Sequence, residues 1–229
     1  MVIGNGMIAK AFESYRNQDG YIIFASGVSD STNADAAAFE REIKLITDTI
    51  KSGRGMLFVY FSTCSIYDPS MQDAAYVKHK LQMEDLIRKN HTPFIIFRLA
   101  NPIGSTHNTK TVVNYFIKNI TEKHKFDVWK NASRNIIDID DVYAICNEIL
   151  QQKLFINSNV NIANPNNYPV TFIIEAIEKH FGIHGNYTLH NKGGGPIIDT
   201  AAIESLFTKF NINFDEYYLS NLLQKYFPR

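Results

Sequence analysis

Cysteine is scarce: Cys64 and Cys146 are the only two in 229 residues. That is too few for the disulfide framework of a small secreted domain. Net charge is missing as well. Lys plus Arg and Asp plus Glu both number 23, so the basic footprint of a nucleic-acid-binding domain is absent. No apolar run nears the ~20 residues that span a bilayer. The opening MVIGNGMIAK has neither the charged region nor the long apolar stretch of a secretory leader. Twelve glycines and seven prolines are too few for a collagen-like or low-complexity chain. What is left, at 45% hydrophobic and 20% charged, is a soluble globular protein with room for one sizeable core or two small ones. A reducing cytoplasm is expected, with no nucleic-acid and no membrane partner.

Strand-like and helix-like segments alternate. Residues 1–3 are a short apolar start, 7–16 read as a helix and 21–25 as a strand. Residues 34–51 are a long helical pattern, with Phe39, Ile43, Ile46 and Ile50 at three- and four-residue spacing. Residues 56–62, MLFVYFS, are continuously apolar, as in a strand buried on both faces. A helix over 76–89, a strand over 93–99 and a helix over 112–123 follow. Ile139–Gln151 reads as a helix with an acidic start, 160–163 as a short strand, and 171–181 as a helix ended by Gly182. This alternation predicts an α/β fold with a parallel sheet and helices on both faces. Residues 1–104 read as the core. Residues 105–229 read as a mixed part giving a sheet strand at about 159–163, covering helices and a small lobe. That lobe is expected at the C-terminal edge of the sheet, where open α/β sheets place ligands.

Gly4-Asn5-Gly6-Met7-Ile8-Ala9 fits G-x-G-x-x-A between an apolar strand and a helix. One glycine makes the tight turn, the other lets backbone approach a pyrophosphate, and the small third residue lets helix and strand pack. A purely structural turn is the alternative. Tyr76 and Lys80 lie four apart on one helix face, after a hydroxyl-rich strand end that contains Ser62, Thr63 and Ser65. A phenol titrates near ~10, and a neighbouring ammonium favours its ionised form. With a hydroxyl to share the proton, the pair makes a proton-transfer device for interconverting a carbonyl and an alcohol. An ordinary surface helix is the alternative.

Five segments, FSTCSIYD, YVKHKLQMEDLI, FRLANPIG, RNIIDIDDVYAI and VNIANPNNYPVTFIIEAIEKHFG, follow one another in order. Together with the glycine turn, the chain from Gly4 to about Gly182 resembles the extended short-chain dehydrogenase/reductase family, in its NAD-dependent epimerase/dehydratase branch acting on nucleotide sugars. The resemblance implies a Rossmann-like sheet, NAD or NADP as cofactor and a nucleotide-sugar substrate. It makes Tyr76 the general acid/base, with Thr63 on the reacting hydroxyl or carbonyl. Lys80 would lower the tyrosine's pKa and hold the nicotinamide ribose. It implies cofactor contacts at Gly4, Asn5, Gly6, Met7, Ile8, Ala25, Ser26, Gly27, Ser62 and Pro102. Ser65, Asn101 and Arg134 would meet the substrate, Arg134 at its diphosphate, where a planar fork of donors suits the job. Asp138, Asp140 and Asp141 read as helix-start residues.

Departures from the family pattern are as informative. The first helix leads almost directly to YIIFA, so the family's second and third strands are inferred to be missing. The sheet is then expected to run first strand, YIIFA, MLFVYFS, PFIIFRL, VNIA, with the first strand at an edge. An acidic residue that holds the adenosine ribose is also missing, since Asp19 stands before a strand rather than after one. His180-x-x-x-His184 straddles a helix end, so no metal is expected. Cys64 and His79 read as packed residues. The glycine run 193–195 reads as a flexible turn before a segment over 197–207. The amphipathic tail over 214–227 is expected to cap the core, a homodimer contact being the alternative. Two functions compete: an oxidoreductase or epimerase of a nucleotide-linked sugar, and a non-catalytic module that keeps the binding cleft.

Overall fold

A computed structural model describes residues 1–106, 108 and 111–228. From the N-terminus, β1 (Val2–Ile3) leads through the glycine turn into α1 (Met7–Ala11), then β2 (Tyr21–Phe24), α2 (Ala36–Ser52), β3 (Leu57–Thr63), α3 (Ala75–Asn90) and β4 (Phe94–Leu99). The chain continues through β5 (Asn101–Ile103), α4 (Val112–Thr121), β6 (Lys125–Trp129), β7 (Ser133–Asp138), α5 (Ile139–Gln151), β8 (Ser158–Ile162), β9 (Asn167–Pro169), α6 (Val170–Phe181), β10 (Asn186–His190), α7 (Glu204–Lys209) and α8 (Tyr218–Tyr226).

Five parallel strands form the main sheet in the order β1-β2-β3-β4-β8. That is the expected order, with β1 at an edge. β3 is buried at every position because both faces of the sheet are covered. Leu57, Val59 and Phe61 pack with Phe12 and Tyr15 after α1, Val142 and Ile145 of α5, and Phe207 of α7. Phe58 and Tyr60 face Ile46 and Ile50 of α2 and Met83 and Ile87 of α3. The fold is thus α/β and Rossmann-like, with helices on both faces. The Asp35 carboxylate caps α2 by accepting from the Ala37 amide, and Gly182 ends α6 at φ 67°.

The C-terminal half is more regular than the sequence suggested. β5-β7-β9 and β6-β10 make two small sheets. A second apolar core joins Phe116 and Ile120 of α4, Ile173 and Ile177 of α6, and Leu219 and Leu222 of α8. The first helix is shorter than expected. It stops at Ala11 and tightens into a 3-10 turn at Glu13–Tyr15, which turns both Phe12 and Tyr15 fully into the core. The glycine run is a pinned strap rather than a loose turn: Ser133 N–H donates to the Gly194 carbonyl at 3.0 Å, and Asn131 N–H to that of Lys192 at 3.2 Å. Ile197 is 91% exposed, and the helix begins only at Glu204. In the tail, Tyr218 and Leu222 cap the core while Tyr217 stays exposed.

Candidate active site

The C-terminal ends of β1, β2, β3 and β4 converge on one rim. Gly4 has φ +129°, and a Cβ there would overlap the Ala25 carbonyl at the end of β2. This close approach explains the first glycine through protein packing alone. Gly6 differs. It stands at the start of α1 with no side-chain cap on the helix, and a Cβ built on it meets nothing within 4 Å. The space beside it is a cavity of about 520 Å³, lined by Asn5, Gly6, Met7, Gly104, Ser105 and Phe227 among others. An open glycine with uncapped backbone amides fits the diphosphate of a dinucleotide. Asp19 acts electrostatically on the Met1 ammonium, which donates to the Tyr21 carbonyl, so it stands at the opposite end of the strands from Gly4.

Tyr76 lies in the first turn of α3 and Lys80 one turn on; both are buried. Thr63 ends β3, accepts from the Ser65 amide at 3.0 Å and donates to the Ser65 hydroxyl at 3.0 Å. It lies close enough to the Tyr76 phenol to favour that group's ionised form. Thr63, at the end of β3, and Tyr76, at the start of α3, are thus neighbours. The expected ammonium–phenol pairing does not form. Lys80 Nζ donates to the Tyr60 hydroxyl at 2.8 Å, the Phe61 carbonyl at 3.1 Å and Glu42 Oε1 at 3.5 Å. Burial pushes the Tyr76 phenol up to about 12; the Thr63 hydroxyl opposes this, and the charges of Glu42 and Asp30 add to it. Val28 and Val77, with Phe39, Ile66 and Met71, close over the ring.

Glu42, on α2, organises this region. Oε1 also accepts from the Tyr60 hydroxyl at 2.7 Å, and Oε2 from the Val28 amide at 2.7 Å and His79 Nε2 at 3.0 Å. Burial alone would raise its carboxyl. The His79 hydrogen bond, the Lys80 charge, the Val28 amide and Tyr60 outweigh that and hold it at about 2. Burial in turn draws the Lys80 ammonium below its ordinary value, against the pull of Glu42.

A family model described as the NAD dependent epimerase/dehydratase family matches residues 4–163. The chain belongs to this family. A search of curated proteins found no match. Solved structures of similar fold include UDP-glucuronic acid 4-epimerase from Bacillus cereus in complex with UDP-glucuronic acid and NAD, at 18% identity and a TM-score of 0.70, over 96% of this chain and 76% of that one. UDP-glucose 4-epimerase from Thermus thermophilus in complex with NAD aligns at 12% identity and a TM-score of 0.65, over 94% and 78%. The enzyme WbmG of Bordetella bronchiseptica in complex with NAD and UDP aligns at 15% and 0.67, over 96% and 76%. At these identities the likeness is one of fold.

The remaining residues that the epimerase/dehydratase resemblance singled out have definite places. Met7 sulfur and Gly104 pack together, Ile8 joins the main core, and Ala9 is buried. Ala25 meets the glycine turn, and the Ser26 carbonyl accepts from Arg41 at 3.2 Å. Gly27 faces the buried ion pair, where a Cβ would come 2.7 Å from Lys80 Nζ and 2.8 Å from Glu42 Oε1. The Ser62 hydroxyl is committed to Glu84 at 2.6 Å, and the residue pairs with Arg98 in the β3–β4 ladder. Asn101 donates to the Asn135 carbonyl at 2.7 Å, beside the half-buried Pro102. Arg134, partly exposed, stands 3.9 Å from Asp68, which follows the 3-10 turn after Thr63. Cys64 is buried, its thiol pushed up to about 12 by that burial. Asp138 caps α5 by accepting from the Asp140 amide at 2.9 Å. Among the seven histidines, His107 lies outside the described residues. Glu42, Tyr60 and His79 are the residues that sequence reasoning did not assign to the site.

Proposed function

We propose that this protein is an NAD(P)-dependent oxidoreductase, a keto-sugar reductase or epimerase, acting on a nucleotide-linked sugar through Thr63, Tyr76 and Lys80. The observation that carries the proposal is the placing of Thr63, at the end of the central strand, beside the buried Tyr76 phenol, on the same rim as the open glycine turn. UDP-sugars and NAD in the structural neighbours support the ligand classes. A bound dinucleotide would supply a nicotinamide to exchange hydride with the sugar carbon, given up in a reduction or taken and returned in an epimerisation. Tyr76 Oη exchanges the proton of the sugar hydroxyl, and Thr63 holds that oxygen in line. Lys80, one turn along the same helix, would bind the nicotinamide ribose and favour the phenolate only once it leaves its internal partners Tyr60, Phe61 and Glu42. Ser65, Asn101 and Arg134 line the substrate side. We read β1 as an edge strand because the family's second and third strands are missing, and the protein as cytoplasmic.

Substituting Tyr76→Phe should lower kcat by about 10²–10⁴-fold, the usual worth of a positioned acid/base. The thermal shift given by NADH or a UDP-sugar should survive the change. A variant with full turnover removes Tyr76 from the role. The second reading, a non-catalytic module that binds a sugar nucleotide or a dinucleotide, is favoured by one observation: the Lys80 ammonium is wholly engaged inside the protein. Saturating ligand at 100 times its dissociation constant adds ~2.7 kcal/mol of stability. A shift with a UDP-sugar, none with NADH or NADPH, and no turnover together select that reading.

A further inference from the structure

An ammonium has three N–H donors, and Lys80 uses all of them on its own protein: Tyr60 Oη at 2.8 Å, the Phe61 carbonyl at 3.1 Å and Glu42 Oε1 at 3.5 Å. The acceptors are themselves fixed. Tyr60 can accept from Lys80 because its own proton goes to Glu42 at 2.7 Å. The Glu42 carboxylate takes two donors on each oxygen, the second pair being the Val28 amide at 2.7 Å and His79 Nε2 at 3.0 Å. His79 is stacked on Phe39 with ring centroids 4.3 Å apart, and its Nδ1 is the one buried side-chain polar atom without a partner among the described residues. Its proton therefore sits on Nε2 and is given to Glu42. Tyr60, Glu42, His79 and Lys80 are all buried. Three elements, α2, β3 and α3, thus hold one ammonium.

We infer that Tyr60 and Glu42 are positioning residues that set the dinucleotide affinity of this protein by holding Lys80 in a saturated, inward position, from which it must release at least one hydrogen bond to meet a ribose. The inference rests on the function proposed above. Binding then exchanges an internal acceptor for a ribose hydroxyl, and the affinity records the difference. Tyr60 is the contact to give way, because Glu42 keeps the charge balanced while the short Tyr60 contact is neutral.

Calorimetric titration of wild type and Tyr60→Phe with NADH tests this. The variant loses one acceptor for Lys80, keeps its ring, and leaves one buried N–H waiting for a ligand. Its affinity for NADH is expected to rise about tenfold, ~1.4 kcal/mol, while its unliganded melting temperature falls. A purely structural Tyr60 would lower stability without tightening binding, so equal or weaker affinity in the folded variant overturns the inference. Binding by neither protein overturns both the inference and the function it rests on. Should the variant not fold, a crystal of wild type soaked with NADH decides. The Lys80 Nζ–Tyr60 Oη contact, 2.8 Å without ligand, is expected to be broken with Nζ on the ribose. A bound dinucleotide with that contact intact overturns the inference alone.

Discussion

A carboxylate with no exposed surface survives at Glu42 because four donors meet its two oxygens and Lys80 supplies the opposite charge. Its carboxyl is at about 2 in the folded chain against an ordinary 4.5, so the unfolded chain takes up the proton more readily. The stabilisation is complete above about pH 5 and drains away as the pH falls toward about 2. Replacing Glu42 with alanine strands a buried ammonium and should cost about 3–5 kcal/mol near neutral pH. Urea unfolding of Glu42→Ala and wild type measures this, and the gap should narrow steadily below about pH 5. An unchanged gap down to pH 3 would show that the carboxylate is not what holds the network. Tyr76, Thr63 and Lys80 could be singled out as candidates in the sequence because their spacing is local: four residues apart on a helix, or at the end of an apolar strand. Glu42 was not, because its partner is 38 residues away. The one available sign was its position within the apolar stripe of Phe39, Ile43, Ile46 and Ile50, where a charge must find a buried partner.

Among the elements, the strand–turn–helix unit at the N-terminus is short, with two residues in β1 and five in α1. Its two glycines serve different ends. Gly4 combines φ +129° with the overlap its Cβ would make with Ala25, so Gly4→Ala should destabilise the fold by at least about 2 kcal/mol. Gly6 faces open space, so Gly6→Ala should change stability by less than about 1 kcal/mol while weakening dinucleotide binding. Paired denaturation and binding measurements on the two variants separate the roles; equal stability losses would refute the division. The same contrast explains which elements could be read beforehand. β3 and β4 are dominated by apolar residues and buried by helices on both faces, while their order in the sheet was implied by the family resemblance. β6 and β10 were missed because each is a five-residue strand of mixed polarity. β6 buries only Phe126 and Val128, and β10 has no buried residue, so their pairing is decided by tertiary packing rather than local pattern.

For the molecule as a whole, the main core does not respect the halves of the chain. Val59, Phe61 and Phe97 share it with Ile137, Val142 and Val160, and β8 completes the sheet begun by β1–β4. The rim that would hold a dinucleotide therefore runs without a break from β1 to β8, with β1 at its edge. Beyond that edge no strand stands among the described residues. In Rossmann folds the strand end beyond the glycine turn carries the acid that grips the adenosine ribose and rejects a 2′-phosphate. Asp19 lies at the far end of β1 and β2 near the Met1 ammonium, so it cannot make that distinction. NADH and NADPH should therefore bind within about threefold of each other, and both more weakly than in a fold with the full adenosine wall. Parallel calorimetric titrations with the two dinucleotides test this. A preference above about thirtyfold for either would mean that another part of the chain reads the ribose, and the edge at β1 would then not be the open side of the site.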